Sequence, residues 1–202
     1  MINIDTYKTI LKPSEEVLFK DRGSKFLGYA YPLVNEGNVK QLIDNLKSQH
    51  HKARHWCYAW QVGIEDVHYR VNDDGEPNNS AGQPIYGQIL SKDVTNVLVV
   101  VVRYFGGTKL GVGGLVNAYK TAAQLALESS KIVIKTINTQ FQLSFEYAQM
   151  NVVMRIIKET SADIVEQIME MKCEFVITIR KSEAKKLQLA LEESRYINWK
   201  II

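Results

Sequence analysis

The sequence predicts an α+β fold divided into two domains, and three observations carry that expectation. Short β-compatible runs alternate with helix-spaced apolar positions through the first two thirds of the 202 residues. The composition shifts at Thr136-Ile137-Asn138, which sets the expected domains at residues 1–136 and 137–202. Beyond that shift the pattern restarts as β-α-β-β-α-β, the order of a ferredoxin-like split βαβ unit.

Val17 to Lys20 and Lys25 to Val34 read as a hairpin, because Asp21-Arg22-Gly23-Ser24 between them is a turn tetrapeptide. Val39, Leu42, Ile43 and Leu46 follow the i, i+3, i+4, i+7 spacing of a one-faced helix, with Asn35 or Asn38 as its cap. His55 to Val62 alternates aromatic and small side chains as a strand does, and Val67 to Val71 is its expected partner. A polar, turn-rich stretch, residues 72–84, precedes a short helix over Pro84 to Leu90, with proline in the first turn. Val97 to Val102 is a continuous apolar, mostly β-branched run, which fits a strand buried on both faces. After the glycine-rich segment Gly106 to Gly114, the residues Leu115, Ala118, Ala122 and Ala126 give a small-residue helix face able to approach a sheet closely. In the second part, Phe141, Leu143, Phe145 and Tyr147 alternate as a half-buried strand, and Val152, Val153, Ile156 and Ile157 mark a helix. Two strands at Asp163 to Met169 and Lys172 to Arg180, a helix from Ser182 to Glu193 and a last strand at Asn198 to Ile202 complete the unit.

A chain that is 46% hydrophobic and 23% charged has enough apolar surface to fold, which excludes disordered and low-complexity classes. Cys57 and Cys173 stand 116 positions apart without a C-x-x-C, so a disulfide scaffold and a zinc knuckle are both unexpected and a reducing cytoplasm is the expected compartment. The first residues carry no basic-then-apolar export pattern and no apolar run approaches the ~20 residues of a membrane span. The net charge of +3 is unevenly spread: residues 1–136 hold 16 Lys and Arg against 13 Asp and Glu, while residues 137–202 hold nine of each. An anion site is therefore expected to be local, built on a few positions of the first domain.

The densest constellation is Arg103-Tyr-Phe-Gly-Gly-Thr-Lys109-Leu-Gly-Val-Gly-Gly114. A buried strand that runs into a glycine turn and then a helix offers backbone N–H groups and a positive dipole end to an anion. Gly106 and Gly111 have P-loop spacing, but Val112-Gly113 stands where Lys-Ser/Thr would hold phosphate and magnesium, and G-x-G-x-x-G is absent. The competing reading is that the glycines serve only turn geometry and tight packing. Asp73, Asp74 and Glu76 form a candidate acidic site, for a cation or for acid/base chemistry, set against a plain Asp-Gly turn. His51, His55 and Cys57 lack a second ligand pair, so no metal is assigned, and no catalytic residue or cofactor is assigned either. Trp56, Tyr58 and Trp60, interleaved with Arg54 and His55, are stacking candidates for single-stranded nucleic acid or simply core.

Gly82-Gln-Pro-Ile85, the Val97–Val102 run and Arg103 to Gly111 resemble the IMPACT/YigZ family in its bacterial two-domain form. Gly23-Ser-Lys-Phe26, Lys52-Ala-Arg-His-Trp-Cys-Tyr-Ala59 and Asp73-Asp-Gly-Glu-Pro77 extend the resemblance over nearly the whole chain, with Asn78-Asn-Ser80 as a local departure. The resemblance implies a first domain similar to domain IV of elongation factor G and to a domain of a small-subunit ribosomal protein, with a left-handed βαβ crossover against the general right-handed rule. It implies a second domain similar to domain V of the same factor, and a context in translation without an established reaction. The expected function is non-enzymatic binding of RNA or the ribosome by Arg22, Lys25, His55, Arg103, Lys109, Gly113 and Gly114, with Arg103 and Lys109 on phosphate. Two alternatives remain open: a protein adaptor acting in translation or the stress response, and an enzyme that holds a small phosphorylated metabolite in the same cradle. Neither a membrane nor a metal enters any of the three.

Overall fold

The computed structural model describes residues 5–202. It divides into two compact units, one of Lys8–Ile134 and one of Lys135–Ile202 with the described part of Met1–Tyr7. Two strands not expected from the sequence, β1 (Thr6–Ile10) and β7 (Ile132–Thr136), pair with each other in a separate two-stranded sheet.

The first unit is built on a five-stranded sheet in the order β2-β3-β6-β4-β5, every neighbouring pair antiparallel: β2 (Val17–Asp21), β3 (Ser24–Pro32), β4 (His55–Val62), β5 (His68–Asn72) and β6 (Val97–Tyr104). The expected hairpin joins β2 to β3, and Arg22 and Gly23 at φ 44 and 81 are the two left-handed residues that a tight two-residue turn requires. Every side chain from Val97 to Val102 is fully buried, because helices cover both faces of β6. Val97, Val99 and Val101 meet α2 (Gly82–Ser91) and α3 (Gly111–Glu128), while Leu98, Val100 and Val102 meet α1 (Val39–Gln49). The small-residue face of α3 does approach closely: a Cβ on Gly28 of β3 would stand 2.5 Å from the Ala122 carbonyl oxygen. Asn35, with its side chain accepting from Gly37 N–H, caps a short 3-10 turn before α1, and Asn38 caps nothing through its side chain. The α2 helix opens two residues before Pro84, and α3 opens at Gly111, inside the expected glycine turn.

The second unit follows the expected β-α-β-β-α-β order: β8 (Asn138–Glu146), α4 (Met150–Thr160), β9 (Asp163–Ile168), β10 (Lys172–Arg180), α5 (Ala184–Glu192) and β11 (Ile197–Ile201). The strands pair antiparallel in the order β11-β8-β10-β9, so the two outer strands are the ones that follow the helices. Phe141, Leu143 and Phe145 of β8 and Phe175, Ile177 and Ile179 of β10 fill one face with Val153 and Ile157 of α4 and Leu187 and Leu191 of α5. Ser161, in the left-handed conformation at φ 57, ends α4 and turns the chain into β9.

Candidate functional site

The site is assembled at one end of the five-stranded sheet, where the β2–β3 turn, the ends of β4 and β6, the polar loop after β5 and the start of α3 meet. Gly23 and Gly106 touch backbone to backbone: a Cβ on Gly106 would lie 1.9 Å from the Gly23 carbonyl carbon, and Gly106 N–H donates to Ser24 Oγ at 3.1 Å. Glycine is the residue that lets the two loops close in this way. Register then places Phe26 and His55 opposite Arg103 on β6.

Arg103 does not stand free as a phosphate contact. Its side chain is 6% exposed, Nη1 donates to Glu76 Oε1 at 2.5 Å, and the guanidinium lies between the rings of Phe26 and Phe105 at 5.4 and 5.6 Å. Tyr119, on the buried face of α3, donates to the same Glu76 oxygen at 2.7 Å. The carboxylate is thus held by two buried donors, which compensates its removal from water. Below it, Cys57 Sγ lies 3.3 Å from the Tyr119 hydroxyl and 3.0 Å from the Asp73 carbonyl. Burial pushes both the Cys57 thiol and the Tyr119 hydroxyl far up from their ordinary values, so neither is a nucleophile or a base at neutral pH. Cys57 is the buried strand residue expected of a free cysteine.

The acidic residues are likewise spent on structure. Asp73 accepts from the backbone N–H groups of Asn79, Ala81 and Gly82 at 2.8–2.9 Å and so fixes the start of α2. Asp74 accepts from Trp56 N–H at 2.7 Å, and Asp74 and Gly75 supply the left-handed pair that turns the loop. His55 Nδ1–H donates to the Asp74 carbonyl at 2.8 Å, and its Nε2 lies 4.0 Å from Glu76. The candidate acidic cluster is therefore a set of turn-forming and ion-pairing groups. Among the described residues no group of three or more His, Cys, Asp and Glu is arranged to hold a metal.

Of the seven residues expected at an anion site, His55 and Arg103 share the side of the sheet that faces α3, and Lys109, in the loop before that helix, lines the same cleft as Arg103. Lys25 departs from them: it shares the pleat of Leu27, whose side chain joins the core under α1, while Phe26 joins the core under α3. Arg22 is exposed at the tip of the hairpin turn. Counted from the cap residue Leu110, Gly113 carries the fourth N–H of α3, the last that has no partner within a helix. Gly114 comes after them, and its glycine relates to packing, since a Cβ there would lie 3.0 Å from Leu110 Cβ. A cleft of about 360 Å³ joins the acidic loop to the glycine loop, with Glu76, Arg103, Phe105, Lys109 and Gly111 among its walls. Phe105 and Tyr119 are the residues that sequence reasoning missed. Tyr119 stands at i+4 from Leu115, on the face already marked as buried. The stacking candidates Trp56, Tyr58 and Trp60 all line a groove beside α1 and pack on the core beneath that helix, Trp60 buried and Trp56 and Tyr58 half-buried, and Lys47 Nζ sits 5.6 Å from the Trp56 ring centre.

Residues 22–127 match the Impact N-terminal domain, the region that contains this entire site. An IMPACT family member of Haemophilus influenzae is 29% identical over 187 residues, 91% of each chain. The family member YigZ of Escherichia coli is 35% identical over 129 residues, 63% of each chain. A solved structure described as a hypothetical protein superposes with a TM-score of 0.70 at 25% identity, covering 98% of this chain and 97% of that one. With more than half of its length matched by that domain, and with a relative aligned from near one end to the other, the chain belongs to the IMPACT family.

Proposed function

We propose that this protein is a translation-associated factor that binds RNA, free or in the ribosome, through the glycine-rich end of its first unit. The observation that carries the reading is the combination found there: an exposed Lys109, an exposed Arg22 one residue from the Gly23–Gly106 contact, and a helix start whose N–H groups have no side-chain cap. The reading agrees with the translation context, and with the likeness of the two units to domains IV and V of elongation factor G, that the sequence resemblance to the IMPACT family implies. The test is filter retention of single-stranded RNA and of isolated ribosomal subunits at low salt. Retention of either, weakened by Lys109→Ala and by Arg22→Ala, is expected; retention of neither overturns the reading.

One observation supports a second reading. Because a single cleft joins the acidic loop to the glycine loop, the same cradle suits a small phosphorylated molecule. A thermal shift with mononucleotides and none with RNA would favour it.

A further inference from the structure

The β2–β3 hairpin carries three cations within a short stretch, Lys20, Arg22 and Lys25, and each stands where local preference opposes it. Lys20 and Lys25 face each other directly across the two strands, and like charges in that position destabilise a sheet. Arg22 holds the first left-handed position of a two-residue turn, at φ 44, which favours asparagine, aspartate or glycine. Nothing inside the fold accounts for these choices: all three side chains are exposed and form no ion pair among the described residues.

Register shows where the charge is delivered. Lys25 shares the pleat of Leu27, under α1, so Lys20 opposite it is on that side too, and Tyr104 of β6 is the next residue of the same row. Asp21, the one carboxylate of the hairpin, stands opposite the buried Ser24 and so belongs to the other side of the sheet. Glu16 reaches the α1 side at the Tyr29 hydroxyl, four residues along β3 from Lys25, which is about 13 Å away. Tyr104 is hydrogen-bonded to His50 at the end of α1, at 3.0 Å, and the exposed Lys52 and Arg54 that follow also form no ion pair among the described residues. The Arg54 N–H donates to the Arg103 carbonyl at 3.2 Å and ties that segment to the end of β6. Cations from the hairpin and from the segment after α1 thus meet around a half-buried tyrosine, and Arg22 at the hairpin tip joins them to the glycine-rich end.

We propose that this ledge holds the backbone of a single-stranded RNA, with phosphates on Lys20, Lys25 and Arg54 and the strand continuing over Arg22 toward Lys109. The proposal rests on the RNA reading above and extends its contact to the α1 side of the sheet. Cations without matching carboxylates suit a strand that carries a charge on every residue. The Tyr104 ring among them adds a stacking surface that a base uses and an acidic peptide does not.

Binding is read by anisotropy of a labelled single-stranded oligouridine at low salt, and stability by melting temperature. Lys25→Glu turns the like-charge pair into an opposite-charge pair, so it should raise the melting temperature by about 2 °C while weakening oligouridine binding about tenfold. Lys20→Glu should behave in the same way. Arg22→Asn should also melt higher and bind about threefold less tightly. A variant that melts higher has not lost binding by unfolding. Lys120→Glu makes the same charge change on an exposed position of α3 and should shift affinity by less than about twofold. If Lys20→Glu and Lys25→Glu bind as tightly as Lys120→Glu while Lys109→Ala binds weakly, the ledge is overturned and the RNA reading stands. If the oligouridine does not bind but polyglutamate does, and Lys25→Glu abolishes it, the RNA reading falls and the proposed occupant with it, in favour of an acidic protein segment. Binding of neither polymer overturns both.

Discussion

Arg103 shows how far one side chain's role departs from its chemistry alone. At the end of a buried run, three residues before the first glycine of the turn, it reads as a cation presented to solvent. Its alternation phase says otherwise: Val97, Val99, Val101 and Arg103 share a pleat, and that pleat faces α3, where Glu76 and Tyr119 receive it. Removing one partner of such a buried pair leaves an uncompensated charge, so Arg103→Ala should destabilise the protein by about 3–5 kcal/mol in urea unfolding. The double variant Arg103→Met, Glu76→Gln removes both charges and keeps an acceptor for the Tyr119 hydroxyl. It should recover most of that loss, and a double variant as unstable as the single one would refute the pairing argument. The neighbouring thiol gives a second prediction at this scale. Buried and pushed upward, Cys57 should be inert to a thiol-specific reagent at neutral pH and react only at the rate of unfolding; rapid native-state labelling of Cys57 would contradict the structure.

At the scale of elements, periodicity was the legible signal and distant pairing was not. The α1, β4 and β6 segments carry their own period of 3.6 or 2, and their expected bounds lie close to the observed ones. The β1 and β7 strands had no such signature, because they pair with each other across more than a hundred residues and, among the described residues, β1 otherwise makes only a bridge from Lys8 to Val94. The sequence pattern puts the start of α3 too late for a different reason: glycine is a poor helix former, and Gly111, Gly113 and Gly114 stand in its first turn. The site was legible as a set of motifs, but their convergence depends on the Gly23–Gly106 contact, which no local pattern encodes. That contact yields a sharp comparison between adjacent glycines. Gly106→Ala would drive a Cβ to 1.9 Å from a carbonyl carbon and should cost about 3 kcal/mol, whereas Gly107→Ala meets no neighbour and suffers only its left-handed φ of 89, about 1 kcal/mol. Equal losses in denaturant titration would mean that the two loops do not close on each other.

For the whole molecule, the distribution of charge decides what binding should look like. The excess of three positive charges belongs to residues 1–136, and the remainder is neutral, so an RNA footprint is expected to be short and confined to a few exposed cations. With roughly 3–5 phosphate contacts to a single strand, the logarithm of affinity should fall against the logarithm of salt with a slope of about −2 to −3.5. The structure changes which side chains contribute to that slope. Lys109 and Arg22 are exposed and have no ion-pair partner among the described residues, so Lys109→Ala and Arg22→Ala should each flatten it by about 0.7. Arg103 is neutralised by Glu76 inside the fold, so the Arg103→Met, Glu76→Gln double variant should leave the slope unchanged while the protein stays folded. Filter binding from low to physiological salt separates these cases. A slope near zero, or one that falls with the double variant and is indifferent to Lys109 and Arg22, would show that binding uses a different surface from the glycine-rich end of the sheet.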